Sequence, residues 1–220
     1  MDAWYILWAE RAQLLSGFAT TLALFVGAAV GAFILAALLL PLLEGRISPA
    51  RRLLRSLIDG VRLLPFLVLL YLLYYGLPLL GVRLDAWVAG YVALIAYHGL
   101  YLTEILRGAR SVLPKGQVDA ARAHGYATAG LYRRILLPQL VLGSAPMLGN
   151  QLVICLKDTA FLTFITVIEL TGAATAIQST HFIPIQAFVV AVGFYWLISL
   201  AIEALTRALG RCAAKRGLAS

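Results

Sequence analysis

Five apolar stretches, each about as long as a bilayer is thick, constrain this chain more than any other feature. They run approximately over 17–43, 63–80, 86–106, 135–156 and 184–205. A hydrocarbon core of about 30 Å takes about 20 predominantly apolar residues per helix. Backbone groups in lipid must be satisfied within the segment, so these stretches are expected to be helices. Charged residues make up only 13% of the chain, against about a quarter in soluble domains. The expected fold is an all-α membrane protein with five transmembrane helices, forming one transmembrane domain over residues 1–220.

The region 161–183 is apolar enough to enter a membrane. Gly172 and the polar Thr166, Glu169, Thr171, Thr175 and Gln178 interrupt it. Such backbone survives at membrane depth only where protein or a water-filled cavity covers it. It is therefore expected to be a short gate-like or interfacial segment, not a sixth span.

The net charge of +8 comes from basic residues lying between the apolar runs. They form no aromatic-interleaved patch, so topology accounts for them better than nucleic acid. Fifteen of the 18 lysines and arginines fall on one side. They are Arg46, Arg51, Arg52, Arg55 and Arg62 in the first loop, then Arg107, Arg110, Lys115, Arg122, Arg133 and Arg134 in the third. Arg207, Arg211, Lys215 and Arg216 follow in the tail. Only Arg11, Arg83 and Lys157 fall on the other side. The positive-inside rule puts the N-terminus outside and the C-terminus in the cytoplasm. Asp2 and Glu10 precede any cation, which argues against a cleaved signal peptide. Cys155 and Cys212 have no C-x-x-C or ligand spacing, so neither a disulfide nor a metal site is expected.

The third loop, residues 107–134, is long and mixed in character. Leu113-Pro114-Lys115-Gly116 breaks the preceding helix. Gln117 to His124 then reads as a short helix rich in alanine, with Asp119 in its first turn, at the positive end of the dipole. Gly125 occupies the place of a C′ glycine, and Thr128 can cap a second helix entering Ile135-Leu136-Leu137-Pro138. Small side chains on a short helix suit a rigid knob offered to a groove in another protein. The same residues would also suit an amphipathic helix lying on anionic lipid.

Asp119-Ala120-Ala121, Gly125 and then Ile135-x-Leu137-Pro138 resemble the EAA loop of ABC importer permeases, with Asp in place of the first Glu. Thr103 to Ala109, Leu113 to Gln117, Leu148-Gly149-Asn150-Gln151, Leu156-Lys157-Asp158-Thr159 and Tyr74-Tyr75-Gly76-Leu77-Pro78 resemble the histidine/glutamine/arginine/opine (polar amino acid) permeases of that class. The resemblance implies the type I ABC importer permease fold in a bacterial inner membrane. It implies a second permease subunit, an ABC ATPase dimer holding ATP and Mg, and an extracytoplasmic solute-binding protein. This chain itself would need no cofactor. The resemblance further implies that Lys115, Gly116, Asp119, Ala120, Ala121, Gly125, Ile135, Leu137 and Pro138 couple to the ATPase. Where the family commonly has Arg-Gly-Thr-Pro-x-x-x-Gln, this chain has Arg62-Leu63-Leu64-Pro65 and Leu69. His98 is likewise unusual. These departures resemble one member of a heterodimeric pair more than a homodimer.

Polar groups at membrane depth are costly and point to function. Asn150 and Gln151 suit either a cavity-lining pair that touches an amino acid or hydrogen bonds fastening the bundle. His98 suits a substrate or gate sensor, or a buried histidine satisfied by a backbone carbonyl. Lys157, Asp158 and Thr159 suit an outer gate at the end of the fourth span, or a snorkelling lysine with a local ion pair. Glu169 is the best-placed acid for a cationic substrate, and Glu203 reads as structural. A hydrolase using Ser144 with His98 or His181 would need a nucleophile–base pair, yet no acid orienter or glycine elbow accompanies them. The function expected is therefore a permease subunit, not an enzyme, importing polar or basic amino acids or opines. The alternative is a membrane scaffold or assembly protein whose loop docks a non-ATPase partner.

Overall fold

The computed structural model describes residues 3–44 and 48–215. Asp2, Arg46 and Arg216 lie outside the described residues, as does the side chain of Lys115. A seven-residue helix α1 (Ala3–Ala9) leads into the 33-residue α2 (Arg11–Leu43). Helix α3 (Pro49–Leu63) lies at the far end of α2. Ser48 caps it by accepting from the Arg51 amide, and Pro49 stands at the first helical position, where its missing N–H is no loss.

The second apolar stretch becomes α4 (Phe66–Tyr71), extended by a wide turn over Leu72–Gly76 and a tight one over Leu77–Leu80. It meets α3 at 107°. Leu64 precedes Pro65 and is extended, with ψ 142°, because the proline ring disfavours the helical conformation there. The third span is α5 (Ala86–Val112), capped by the Asp85 carboxylate accepting from the Trp87 amide.

After it come α6 (Lys115–Ala123), α7 (Thr128–Leu131), a wide π-type turn (Tyr132–Leu136), α8 (Leu137–Gly143) and α9 (Ala145–Asp158). A 3-10 segment, Thr159–Ile165, carries the α9 path onward. Helix α10 (Leu170–His181) is followed by the long α11 (Pro184–Lys215). Both wide turns end two residues before a proline, Pro78 and Pro138. A proline lacks the N–H for a bond four residues back and clashes with that carbonyl, and a widened turn relieves both problems.

Among the described residues four helices are long and apolar enough to cross a membrane, and the bent α3–α4 pair makes up to five. The fourth span differs from expectation. It covers Ala145–Ile165, ten residues later than the apolar stretch at 135–156. Pro138, Pro146 and the break at Ser144 take residues 135–144 into the return from the loop, a change that hydropathy does not register. Helix α10, with 12 residues, is about 18 Å long at 1.5 Å per residue. That is too short to cross, so the segment is not a sixth span. Left-handed residues bound it on both sides, Thr166 at φ 72° and Phe182 at φ 55°.

The core is stacked in three layers along the bundle. Leu7, Leu14, Leu170, Ile177 and Ala187 close the α10 end. Leu24, Phe66, Leu94, Leu156 and Leu162 fill the middle. Leu40, Leu106, Val118, Leu131 and Leu136 close the α6 end. Between helices in lipid, close van der Waals packing of small residues replaces the hydrophobic drive. Gly17 shows the scale: a Cβ there would lie 2.8 Å from the Ala173 Cβ and 3.0 Å from the Glu169 carbonyl oxygen. Only a glycine lets α10 approach α2 that closely.

Candidate functional site

At one end of the bundle the loop after α5 builds a protruding turn. Helix α6 begins at Lys115, directly after Pro114, so Asp119 falls in its second turn and not the first, as the sequence suggested. Its end is a double closure. The Gly125 amide donates to the Arg122 carbonyl at 2.9 Å and the Tyr126 amide to the Ala121 carbonyl at 3.1 Å. This is the Schellman pattern, and it requires a left-handed C′ residue, which Gly125 supplies at φ 77°. Thr128 does not cap α7. The N-cap position is Ala127, with no side-chain hydrogen bond.

The expected coupling residues divide by direction. Ala121 is buried against the lower core layer, beside Val118, which was not among them, and Ile135 and Leu137 pack partly against it. Gly116, Asp119, Ala120, Gly125 and Pro138 are exposed. A Cβ at Gly116 or Gly125 would meet nothing within 4 Å. The outer surface of α6 thus carries small residues beside the charged Asp119 and Arg122, and the helix is held from behind by Val118 and Ala121.

Inside the membrane the fourth span separates its polar residues into two faces at seven-residue spacing, which returns to the same side of a helix. Gln151 and Asp158 point into the bundle. The Gln151 Nε2 donates to His98 Nδ1 at 2.8 Å, and His98 Nε2 stands 3.4 Å from Asp158 Oδ2. His98 is 1% exposed. Its partners are these two side chains, not the backbone carbonyl expected for it. A cavity of about 430 Å³ opens beside them, lined in part by Pro65, Tyr97, Tyr101, Gln151 and Asp158. Thr159 is buried and its hydroxyl donates to the Leu156 carbonyl.

Asn150 and Lys157 occupy the other face of α9 and are exposed. Lys157 forms no ion pair among the described residues, since Asp158 turns inward to His98. Asn150 lines a groove of about 670 Å³ together with Pro146, Ser199, Glu203, Arg207 and Arg211. Asn150 and Gln151 are therefore not a pair in space. Glu203, read as structural from its position, joins Asn150 in this groove. Ser199 and Arg207 were missed, because nothing in the sequence of one helix tells which residues of another it will face.

Glu169 is fully buried at the N-terminus of α10. Its carboxylate accepts from the Gly172 amide at 2.8 Å, the Thr171 amide at 2.9 Å, the Tyr195 hydroxyl at 2.6 Å and the Thr21 hydroxyl at 3.4 Å. It caps α10 and ties it to α2 and α11. Ser144 donates its hydroxyl to the Leu140 carbonyl, and His181 meets Glu10 at 3.3 Å. No serine–histidine pair exists among the described residues.

Apolar spans packed around a few buried polar side chains, with an exposed turn at one end, define a multi-pass helical membrane protein. The comparisons agree. The family described as "Binding-protein-dependent transport system inner membrane component" matches residues 45–214, most of the chain, which therefore belongs to it. The nopaline transport system permease protein NocM of Agrobacterium fabrum is 31% identical over 88% of this chain and 84% of its own length. The glutamine transport system permease protein GlnP of Escherichia coli K12 is 31% identical over 70% of this chain and 71% of its own. A crystal structure of an amino acid ABC transporter with histidines superposes with a TM-score of 0.82 at 27% identity, covering 96% of this chain and 98% of that one. The fold is that of type I ABC importer permeases, the protein is a multi-pass inner-membrane protein, and in this family ATP hydrolysis belongs to a separate subunit.

Proposed function

We propose that this chain forms half of the translocation path of an importer for polar or basic amino acids or opines, paired with a second permease subunit as a heterodimer. Helix α6 docks in a groove of the ATPase on the cytoplasmic side, and the N-terminus faces outward to the solute-binding protein. The observation that carries this reading is α6 itself: Gly116, Asp119, Ala120 and Gly125 project from a turn whose other face is buried. A helix resting on lipid would turn apolar side chains toward it, whereas the large apolar residue of this helix, Val118, is buried in the bundle and the outward side chains are small or charged: Gly116, Asp119, Ala120, Arg122 and Ala123.

The substrate class is supported by the relatives, which are named for nopaline and glutamine, and by Lys157 and Asn150. An exposed ammonium within a span is costly against lipid. It is satisfied where that face lines a watered path or meets the second subunit. There Lys157 can attract the carboxylate that all such substrates carry, and Asn150 can hydrogen-bond their polar groups.

The test is reconstitution of this chain in liposomes with its partner permease, ATPase and binding protein, supplied with a labelled panel of glutamine, histidine, arginine and opines. The expected result is uptake of at least one panel member that requires ATP on the cytoplasmic face. Uptake of no panel member, or uptake that does not require ATP, overturns it.

A further inference from the structure

Helix α3 runs across the end of the bundle instead of continuing into it. Its axis meets the second span at 107°, so with Phe66–Leu80 crossing the bilayer α3 lies near the plane of the membrane surface. Both of its ends are tied to other spans. At its start Arg51 Nε donates to the Leu42 carbonyl at 2.8 Å and Arg55 Nη2 to the Leu43 carbonyl at 3.1 Å. These take up carbonyls that the C-terminus of α2 leaves without helical partners. At its end the Tyr101 hydroxyl donates to the Arg62 carbonyl at 2.8 Å and the Tyr97 hydroxyl to the Leu64 carbonyl at 3.2 Å. Helices α2 and α5 thus set both the direction of α3 and its rotation.

Successive residues of a helix turn by about 100°. Leu53, Leu54, Leu57, Ile58 and Val61 therefore share one arc of α3, and Arg51, Arg52, Arg55, Ser56, Asp59 and Arg62 share the opposite one. The bundle lies against a seam between the two arcs, where Ile58 is 1% exposed and Arg51 and Arg55 grip α2. Two flanks are left uncovered. One presents Leu53 at 63% and Leu57 at 57% exposure, a turn apart. The other presents Arg52, Ser56 and Asp59. A helix lying at a bilayer surface has two such flanks, one toward the acyl chains and one toward water.

We propose that α3 is an interfacial helix, with its Leu53 and Leu57 flank sunk among phospholipid acyl chains and its Arg52, Ser56 and Asp59 flank at the headgroups and water. The partner is the bilayer and not the ATPase, because a soluble protein approaches from the water side, where the polar flank lies. Lipid then holds the break at Leu64-Pro65 at the membrane surface and fixes where the second span begins. The inference needs only that the second span crosses the membrane, and it is independent of substrate and of the role given to α6.

The experiment uses the full chain in phospholipid nanodiscs, with a bimane fluorophore attached at Leu53→Cys, Leu57→Cys or Ser56→Cys. Cys155 is buried, and Cys212→Ser removes the other native thiol. Phospholipid brominated on its acyl chains should quench the probes at 53 and 57, and aqueous iodide the probe at 56, each leaving the other flank bright. Iodide quenching at 53 and 57 as strong as at 56 overturns the proposal, because the leucine flank then faces water. Bromolipid quenching of all three probes alike, or of none, also counts against it. Shielding of 53 and 57 from iodide that appears only when the ATPase is added assigns the flank to that protein instead of lipid. The two leucine positions report separately, so one variant that fails to insert leaves the other to decide. No transport is measured, so loss of uptake in the reconstituted importer leaves this result standing.

Discussion

The Gln151 side-chain nitrogen lies 2.8 Å from His98 Nδ1, joining the third and fourth spans through two buried polar side chains. The amide nitrogen donates to Nδ1, and the other ring nitrogen, Nε2, lies 3.4 Å from Asp158 Oδ2. One imidazole thus spans two residues a heptad apart on α9. A third side chain of the same face, Leu148, falls in the lower core layer. The polar pair is accordingly fastening within an otherwise apolar seam.

Removing the ring tests that fastening. His98→Ala leaves Gln151 and Asp158 facing each other's vacated partner, and an unsatisfied buried polar group costs about 1–3 kcal/mol. The purified subunit should melt at a lower temperature. Gln151→Leu should cost less, since it removes one partner and leaves the His98–Asp158 contact. An unchanged melting temperature in His98→Ala would show that the contact contributes nothing.

Neighbouring residues should behave oppositely. Lys157 is exposed without an ion pair among the described residues, so Lys157→Met should leave abundance and melting temperature unchanged while lowering uptake at least roughly tenfold, the equivalent of about 1.4 kcal/mol of lost interaction. Asp158→Asn keeps the shape but weakens the tie to His98, and its first effect should be on stability. Thermal denaturation and uptake measured on the same preparations separate them. Equal uptake in Lys157→Met and the parent would remove Lys157 from the path.

What could be read from the sequence follows the range of the physics. The spans were legible because lipid imposes a length and composition on each helix independently. The α6 turn was legible because Gly125 closes its helix through bonds to residues three to five positions back, all local. The start of α6 was not, because Pro114 initiates it earlier than the alanine run suggests. The division of Asn150 from Gln151, and the capture of Asp158 by His98, depend on how α9 is rotated against α5 and α11. The residues that fix that rotation, among them Gly149 against Thr206, lie far apart in the chain. Glu169 was read as an acid for a cationic substrate, and its local cap on the Thr171 and Gly172 amides was missed. Its burial and its ties to Thr21 and Tyr195 were not legible, because those partners come from opposite ends of the sequence.

The coupling turn offers a cleaner separation of folding from function. Gly125 is left-handed, and a Cβ there meets nothing within 4 Å. Aspartate tolerates that conformation better than most residues do, so Gly125→Asp should insert and accumulate near the parental level. Its side chain would project from the surface that the proposal gives to the ATPase, and uptake should be lost. Quantifying the membrane-inserted subunit alongside uptake checks both halves. Normal transport by this variant would refute the docking role of the turn.

Glu169 supplies the sharpest test of the short helix α10. Its carboxylate accepts two backbone amides, Thr171 and Gly172, that would otherwise be unpaired at the helix N-terminus, together with the hydroxyls of Tyr195 and Thr21. Glu169→Ala withdraws the acceptor from all of these donors inside the protein. Loss of an N-cap alone costs about 0.5–2 kcal/mol, and the buried donors left behind add to it. Glu169→Gln keeps one carbonyl oxygen for the amides, while its NH₂ can donate to the Tyr195 oxygen, so most of the cap should survive. Hydrogen exchange at the Thr171 and Gly172 amides reads the difference directly: fast in the alanine variant, intermediate in the glutamine variant and slow in the parent. If the alanine variant exchanges as slowly as the parent, α10 is held by packing at Gly17 and the upper core layer and not by its cap.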